Sequence, residues 1–593
     1  MNFFRKATLV YKVLRWRLKW DWRDIDYSDG KPDNPLFVTP RQAIERFVKD
    51  SDFVSVSGLG GNQHATILHF ALRDVYAATG HPKNITVMAI GGMGGRGRVP
   101  GTIDEVGQPG LCARFVTGHF ETFKTVLNLA DFDQCELQCL PQGTLSLLIE
   151  AQANGQDSVL VPTGVGTVFD PEIGRGTPLA GRGAEQWVEK EGDQLRYRIP
   201  PITCALIAAP GADAEGDIYI ENAAMIAEIP ELVQAVKRNG GRVIVNVGTI
   251  VEHDPQKVFV KSEDVDAIVY YPRTGQCLLR TYDNPWDVLL PHSATPMDEA
   301  IEEVRFINNT LGVTPRRNDA DKATGRLAAS IFAENAWEGA LVNIGTGMPE
   351  EVCREIYEGG LLDKITFFTE SGVVGGVPNP GAFVGTAVKP EYMTTPAKIF
   401  HRAHEELDVT CLGTLQVDSK GNVNVSKRGE GAINYVGPGG FIDFSTSAKM
   451  VIFVGAWMAH SKLSIQDGKL RIIERGKTKF IEKVDEITFS GPEALKANRK
   501  VFYVTNVGVF QLTEHGLTLI RVMPGVDIQT DILDFAPARI VLPESGEVPL
   551  VDPSVVTGVG FSLELRGARP ASPPTPASPH ARPVADDATS PSA

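Results

Sequence analysis

The chain has 593 residues, with 73 acidic against 58 basic side chains and a net charge of −15 at pH 7. This length exceeds what one hydrophobic core supports, so two or more domains are expected. The acidic balance argues against nucleic acid as a partner, although a local basic pocket or helix N-termini can still bind an anion.

The seven cysteines are scattered along the chain and form no Cys-x-x-Cys pair. A structural zinc site is therefore not expected. An odd set of dispersed thiols favours a reducing compartment, which predicts a cytoplasmic protein. No apolar run in the sequence is long enough to cross a membrane.

Residues 1–36 are predicted to form a basic N-terminal helix followed by a polar linker. Six basic residues precede the first acid, Asp21, and they are Arg5, Lys6, Lys12, Arg15, Arg17 and Lys19. A transit peptide or a helix in weak contact with a membrane surface would fit this composition. We favour a helix packed on its own protein or on a partner subunit, because the basic residues do not segregate to one face.

Strand, glycine loop and helix follow one another twice in the next segment. Thr39 can cap a helix, residues 53–57 are predicted as a strand that enters the glycine loop 58–61, and a helix extends to about residue 78. Residues 85–90 form the next predicted strand, which ends in a second glycine loop. Neither loop has the features of a phosphate-binding nucleotide site. The pattern favours a parallel sheet with ligands at the carboxyl ends of its strands.

The remaining pattern predicts a duplicated α/β unit. In the first half a helix starts at Gln142, and strands are expected at 159–161, 204–209 and 243–247. The charged segment 293–321 is interpreted as a linker. In the second half a helix begins near Ala320, residues 341–344 form a strand with its glycine turn, and another strand leads to Glu370. Two halves of similar organisation suggest a site between them.

Glu370 stands where an apolar strand breaks into a turn of small residues. Ser371 and Gly372 follow it, then Gly375 and Gly376. The small neighbours leave room for backbone amides and a bulky ligand to approach the carboxylate. This is a suitable environment for a nucleophile that attacks an activated acyl group, although a solvated glutamate at a strand end also fits. From about residue 567 the chain is rich in Ala, Pro and Ser, and a disordered tail is expected.

Six segments, in this order, resemble the family I CoA-transferases, the single-chain acetate, propionate and 3-oxoacid type. They are Pro141–Thr144, Pro162–Thr167 with Asp170 and Pro171, Asn343–Pro349, Glu370–Gly372 with Gly375 and Gly376, Gly421–Ser426, and Gly437–Phe441. The resemblance covers about residues 37–545. It implies two similar open α/β domains in tandem, of the NagB/CoA-transferase-like kind, with the active site between them. These are an α-like domain at 37–292 and a β-like domain at 322–545 that carries the nucleophile.

The resemblance implies a ping-pong transfer of CoA from an acyl-CoA to a free carboxylic acid. Glu370 would form an acyl-glutamyl anhydride and then a glutamyl-CoA thioester, so no metal or redox cofactor is expected and CoA is itself a substrate. The oxyanions would be stabilised by Gln142 and a backbone amide. The same resemblance implies a homo-oligomer.

Substrate and CoA contacts are expected mainly from glycine loops. The predicted residues are Gly60, Gly61, His64, Gly166, Asn343, Gly345, Gly347, Gly375, Gly376, Gly439 and Gly440. Ordinary turn chemistry explains the glycines equally well, and a structural role at a helix start explains His64.

One segment departs from the family. Residues 400–406 read Phe-His-Arg-Ala-His-Glu-Glu where a Gly-Gly-Gly run is expected, which predicts a different acyl pocket. Four other functions are considered: an acyl-CoA hydrolase on the same scaffold, a lyase α-subunit, a sugar-phosphate isomerase, and a non-catalytic metabolite-binding regulator. The isomerase is disfavoured by the doubled length and by the Glu-Ser-Gly element. The regulator is disfavoured by the acidic charge and by the lack of a basic helix-turn-helix.

Overall fold

The computed structural model describes residues 1–19, 22–95, 99–273 and 286–567. The predicted disordered tail lies, apart from Gly567, outside the described residues. Among those residues, no helix combines the length and the apolar character needed to cross a bilayer.

The strands of the described residues, in chain order, are β1 (Phe53–Val56), β2 (Ile85–Ala89), β3 (Cys112–Thr117), β4 (Glu136–Cys139), β5 (Ser158–Val161), β6 (Pro178–Ala180), β7 (Val188–Glu191), β8 (Gln194–Arg198), β9 (Cys204–Ala212), β10 (Ile218–Tyr219), β11 (Arg242–Ile250), β12 (Ala267–Tyr270), β13 (Ala340–Ile344), β14 (Ile365–Phe368), β15 (Val373–Val374), β16 (Val377–Pro378), β17 (Ala387–Val388), β18 (Tyr392–Met393), β19 (Val409–Leu412), β20 (Gln416–Asp418), β21 (Val423–Asn424), β22 (Met450–Val454), β23 (Met458–Ala459), β24 (Lys462–Gln466), β25 (Lys469–Glu474), β26 (Lys477–Thr478), β27 (Phe480–Ile481), β28 (Lys500–Val504), β29 (Gly508–Thr513), β30 (Gly516–Val522) and β31 (Ile540–Val541). The α-helices of the same residues are α1 (Phe3–Lys19), α2 (Pro40–Phe47), α3 (Thr66–Thr79), α4 (Lys124–Asp131), α5 (Gln142–Ala153), α6 (Ile229–Arg238), α7 (Met297–Leu311), α8 (Asp319–Asn335), α9 (Glu350–Glu358), α10 (Pro396–Glu406), α11 (Phe441–Ser447), α12 (Gly491–Lys496) and α13 (Pro553–Thr557).

Two large sheets organise the chain. The first has the spatial order β12-β11-β9-β1-β2-β3-β4-β6, with β10 beside β9. Its strands from β12 to β4 are parallel, and β6 and β10 pair antiparallel with their neighbours. The second has the order β18-β15-β14-β13-β19-β22-β28-β29-β30-β31, and its strands from β14 to β28 are parallel.

The two sheets are built alike around their first strands. β1 and β13 each lie between the strand that follows next, β2 or β14, and a later strand, β9 or β19. β11 and β22 then continue the two sheets on the same side. This repeated order confirms the expected fold class, a mixed α/β protein with two similar halves.

Several predicted helix starts are present with their caps. Thr39 and Gln42 form a capping box at the start of α2, and Asn318 and Asp321 form one at α8. Helix α5 begins at Gln142, as the sequence predicts. Such caps satisfy backbone N–H groups that the first turn leaves unpaired.

The predicted strand at 159–161 forms in a different place. As β5 it pairs antiparallel with β8 in a small separate sheet, instead of joining the large parallel one. The predicted strand is therefore present, in a small antiparallel sheet of its own. A short apolar run does not tell which sheet will bury it.

The N-terminal helix packs on the protein itself. Leu9 and Val13 of α1 are buried in an apolar cluster with α7 and Trp286. Helix α7 occupies most of the segment interpreted as a linker, and Val304 and Ile307 bury its inner face. The favoured interpretation of the N-terminal segment, a helix packed on its own protein, agrees with this arrangement.

Candidate active site

The site lies where parallel strands of both halves end. The loops after β1, β2, β3 and β4 reach one edge of the first sheet, and the turn after β14 carries Glu370. Ligands of open parallel sheets bind at the carboxyl ends of the strands. The loops after β1 to β4 therefore lie at the edge of the first sheet where a ligand is expected.

Glu370 occupies the apex of a tight turn between β14 and β15. The Gly372 N–H donates to the Thr369 carbonyl over 3.1 Å, and the Thr369 N–H donates to the Val373 carbonyl over 2.9 Å. The buried hydroxyls of Thr369 and Ser371 both donate to the carbonyl of Gly385. The turn is thus fixed from both sides of Glu370.

Gly372 is required by the geometry of this turn. Its φ is +89°, and a Cβ atom added there would lie 2.1 Å from the Thr394 carbonyl oxygen. A side chain would meet both backbone strain and a backbone clash. The Glu-Ser-Gly sequence therefore has a structural reason for its glycine and for its serine.

The Glu370 carboxylate is largely removed from water, yet the residue remains partly accessible. Burial raises its pKa above the ordinary value, and hydrogen bonding to its own N–H and the charge of His119 act in the opposite direction. The residue is partly accessible, and within the described residues no arginine or lysine forms an ion pair with it. A poorly solvated, unpaired carboxylate is a stronger nucleophile than one in water, provided that it is ionised.

Gln142 lies at the N-terminus of α5 and is buried. Its N–H donates to the Gly439 carbonyl over 3.1 Å. Its Oε1 atom lies 3.0 Å from where a Cβ of Gly91 would be and 3.5 Å from where a Cβ of Gly439 would be. In the described part of the chain the side-chain amide forms no hydrogen bond with the protein, so it is free to serve a ligand.

His119 was missed by the sequence analysis. It follows β3 and lies against two glycines, because a Cβ at Gly92 would come within 2.8 Å of its ring and one at Gly439 within 3.9 Å of its Cβ. Its Nε2 is 3.7 Å from a carboxylate oxygen of Glu121, which also pairs with Arg428 of the second half over 2.6 Å. Interactions with His119 and with the Arg428 guanidinium hold the pKa of Glu121 well below its usual value.

A set of neighbouring residues from both halves, which we call the circuit, links the Glu370 turn to Gln142. The turn of Glu370 is bonded to Gly385, which lies against Leu59, and Leu59 also reaches Gly91. Gly91 and Gly439 adjoin Gln142, Gly439 also adjoins His119, and the charge of His119 acts on Glu370 through space. Both halves of the chain contribute to it, in agreement with a site between them.

The first glycine loop forms one wall of this site. Gly60 and Gly61 make the tight turn between Leu59 and Asn62, whose backbones bond to each other. A Cβ at Gly60 would lie 2.7 Å from the Val384 carbonyl oxygen, so the loop fits closely against the second half. His64 is buried behind this loop, where its Nε2 bonds to the Gly60 carbonyl and burial lowers its pKa to about 4.

The loop after β13 forms its hydrogen bonds mostly with other residues of the second half. The Asn343 side chain bridges Phe368 and Thr410 of the neighbouring strands. The Gly345 N–H donates to the Cys411 carbonyl, and the Gly347 N–H donates to Glu350. Gly345 also lines a cavity of about 260 Å³ between α7 and α9.

Three further predicted glycines have structural neighbours. Gly166 lies against Ser490 and Glu493 of α12, and its N–H donates to Asp170. Gly375 and Gly376 take positive φ where β15 bends toward β16, against Glu391 and the Val388 carbonyl respectively. Gly166 makes no contact with the circuit around Glu370 among the described residues.

The loop before α11 approaches Gln142 from the second half. Gly439 donates its N–H to Gly118, and Gly440 precedes the first turn of α11. Asp443, buried in α11, accepts from the Gly143 N–H over 2.9 Å and so anchors the start of α5. Burial raises the pKa of Asp443 to about 7.

The segment that departs from the family forms helix α10 instead of a glycine loop. Phe400 stacks on Phe444 behind Gly143 and Gly440, at a ring separation of 5.1 Å. His401 pairs with Glu150 on an outer face. The segment therefore supports the site from behind, with its charged residues directed elsewhere.

Comparison with known proteins identifies the family. No family model matches the chain. It is 30% identical over 520 residues to a caffeate CoA-transferase of Acetobacterium woodii, which covers 85% of this chain and 94% of the relative. It is 31% identical over 540 residues to the acetate CoA-transferase YdiF of Escherichia coli O157:H7, which covers 89% and 96% respectively.

A solved structure gives the same result. The YdiF acyl-CoA transferase of Escherichia coli O157:H7, in a thioester complex with CoA, matches with a TM-score of 0.75 and 30% identity over 89% of this chain and 98% of that one. These similarities extend over both halves and confirm the resemblance noted from the motifs. The chain belongs to the family I CoA-transferases and is an enzyme that transfers CoA between acyl groups.

Proposed function

We propose that the enzyme transfers CoA from an acyl-CoA to a free carboxylic acid by a ping-pong mechanism with Glu370 as the nucleophile. One observation carries this proposal: the Glu370 carboxylate is partly accessible and unpaired at a fixed turn, within a circuit that includes Gln142 and His119. Acyl-CoA and a carboxylic acid are the proposed substrates, with no resident cofactor.

Each half-reaction proceeds through two exchanges at a carbonyl carbon. A Glu370 oxygen attacks the thioester carbon, the C–S bond breaks, and CoA leaves as the thiolate from an acyl-glutamyl anhydride. The thiolate then attacks the Glu370 carbonyl carbon, the anhydride C–O bond breaks, and the first acid leaves as a carboxylate. The resulting glutamyl-CoA thioester reacts with the second acid by the reverse steps.

Every attack in this sequence generates a tetrahedral oxyanion that needs hydrogen-bond donors. The Gln142 amide N–H₂ is our proposed side-chain donor, since it has no partner in the described protein and lies beside Gly91 and Gly439. A backbone N–H from the loop at Gly60 and Gly61 is a suitable second donor. A donor of this kind contributes about 3–4 kcal/mol to barrier lowering.

We assign the two substrate ends to different walls of the circuit. Leu59, Met225, Val373 and Ala387 form a small apolar cluster behind the Glu370 turn, which favours the acyl side. Gly439 lies next to Gln142 and His119, and we assign the pantetheine thioester to this part of the circuit. The cavity at Gly345 is a weaker candidate for CoA phosphates, because its arginines pair with glutamates.

The remaining assignments are also proposals. Residues 37–292 and 322–545 are proposed as the two domains, and the presence of a separate large sheet in each segment supports this division. A homo-oligomer follows from the family resemblance. The six described cysteines are buried and form no disulfide, which fits a reducing, cytoplasmic setting.

The proposal is tested by isolating the half-reaction. The protein is incubated with acetyl-CoA without an acceptor acid, reduced with borohydride, digested and analysed by mass spectrometry. We expect a reduced glutamyl residue at position 370 that is absent from Glu370→Ala and retained in Glu474→Gln, a control at an exposed glutamate of the same half. Exchange of CoA with free acids should follow ping-pong kinetics.

Two results would overturn the mechanism. CoA release into water that is independent of any acceptor acid would identify a hydrolase. A lack of covalent adduct with acetyl-CoA and with longer acyl-CoA, in protein that still exchanges CoA, would exclude Glu370 as the nucleophile.

A further inference from the structure

Helix α1 presents an apolar stripe on the face that points away from the protein. Five large side chains form this stripe, which we call the outer stripe, and they are Phe3, Phe4, Tyr11, Leu14 and Leu18. Their exposed fractions range from 55% for Leu14 to 81% for Phe4. At 100° per residue these five positions lie within an arc of about 100°, on one side of the helix. A contiguous exposed apolar surface of this kind marks an interaction site.

The opposite face holds the helix in place. Leu9 and Val13 are buried against the cluster that includes α7. The N-terminal amine pairs with Glu302, and the Arg5 guanidinium pairs with Glu303 of the same helix at 2.5 Å. Because these contacts use the inner face and the N-terminal end, the outer stripe remains directed to solvent on a folded support.

The charge of the helix selects an anionic partner. Residues 1–19 hold six basic side chains and no acid, and of these six Arg5 is already paired with Glu303. Arg15 and Arg17 are exposed and lie on opposite sides of the outer stripe, at helical angles of about 70° and about 90° from its centre. Apolar residues flanked by basic ones are the pattern of helices that lie in the surface of an anionic bilayer.

We infer that the outer stripe docks α1 flat on a membrane surface that contains anionic lipids. A symmetric contact with a second copy would bring two basic helices together, at an electrostatic cost. The other exposed large apolar residues of the described chain are dispersed over separate elements, such as Phe132, Ile173 and Leu550, so they provide no apolar patch to receive the stripe. Both observations favour lipid over a second copy.

The inference is tested by flotation with the full chain. Vesicles of phosphatidylcholine alone are compared with vesicles that also contain phosphatidylglycerol, at low and high salt. The test variant is Tyr11→Ser with Leu14→Ser and Leu18→Ser. The control variant, Phe132→Ser with Ile173→Ser and Leu550→Ser, removes three equally exposed apolar side chains elsewhere.

We expect binding to the anionic vesicles only, and weaker binding at high salt. The test variant should lose at least about tenfold in partition coefficient, and the control variant should bind like the wild type. Unchanged thermal stability and CoA exchange in both variants would separate this result from a folding defect and from the proposed Glu370 mechanism.

Two outcomes would overturn the inference. The first is no binding of the wild type to anionic vesicles, or equal binding by the test variant. The second is a test variant that dissociates into smaller species in light scattering while the wild type ignores the vesicles, which would assign the outer stripe to a contact between copies.

Discussion

Replacing Gln142 with alanine tests whether its side-chain amide has a catalytic or a structural role. The amide forms no hydrogen bond within the described protein, so its removal should cost only the burial of a short aliphatic stem, about 1 kcal/mol in the free energy of unfolding. If it donates to the oxyanion, kcat should fall about 10²- to 10³-fold, because one donor contributes roughly 3–4 kcal/mol.

Gln152 of the same helix provides a matched control. Its Nε2 donates to the carbonyls of Ile199 and Pro200, and its Oε1 accepts from the Ile202 N–H and the Asn239 amide. Removing four buried hydrogen bonds should lower the free energy of unfolding by about 2–4 kcal/mol. Because Gln152 lies at the far end of α5, kcat per folded molecule should change little.

The assay measures steady-state CoA exchange, single-turnover formation of the covalent adduct, and chemical denaturation for both variants. The reasoning predicts opposite outcomes, a loss of rate in Gln142→Ala and a loss of stability in Gln152→Ala. A kcat of Gln142→Ala within about threefold of the wild type would refute the oxyanion role, since threefold corresponds to less than 1 kcal/mol.

Three further perturbations test the turn, the charge and the domain contact. Gly372→Ala should abolish adduct formation and destabilise the fold, because its Cβ would meet a backbone carbonyl; Gly360→Ala, at φ +69° in open space, should cost about 1 kcal/mol and keep activity. In His119→Asn, the charge of His119 that lowers the pKa of Glu370 is lost, so this pKa should rise further and the acid limb of kcat/KM should move to higher pH. A shift of the acid limb to lower pH would contradict this role of His119. Asp443 binds a proton up to about pH 7 when folded and up to about pH 3.8 when unfolded, so its contribution to the free energy of unfolding falls as pH rises through that range. Asp443→Asn should reduce the difference between the free energies of unfolding that denaturation curves give at about pH 5 and about pH 8. An unchanged difference would exclude this contribution of Asp443.

The fold was predictable wherever strands run into glycine loops. The elements at β1, β2, β13 and β14 follow from buried apolar runs broken by glycines, and their repetition predicted two halves. β5 was misleading because its run is just as apolar but too short to specify which sheet it joins. Local pattern predicts the element, whereas the partner of an isolated strand depends on the rest of the chain.

The candidate site was predictable where a residue has unusual neighbours in sequence. For Glu370 the small residues Ser371 and Gly372 gave a local signal, and the ordered set of family motifs decided between a nucleophile and a solvated glutamate. His119 had a weaker signal, a polar residue close after a strand. It pairs with Glu121, and Glu121 in turn pairs with Arg428, which lies about 300 residues away in the sequence. Asp443 gave no local signal, because its partner is the start of a helix in the other half.

These long-range contacts explain why neither half can form the site alone. The start of α5, which carries the proposed oxyanion donor, belongs to the first half but is bonded to Gly439 and Asp443 of the second. The Glu370 turn belongs to the second half, and through Gly385 it rests on Leu59 of the first. A relative movement of the halves would therefore change the position of the proposed donor relative to the nucleophile. The geometry of the reaction thus depends on the contact between the halves more than on either glycine loop.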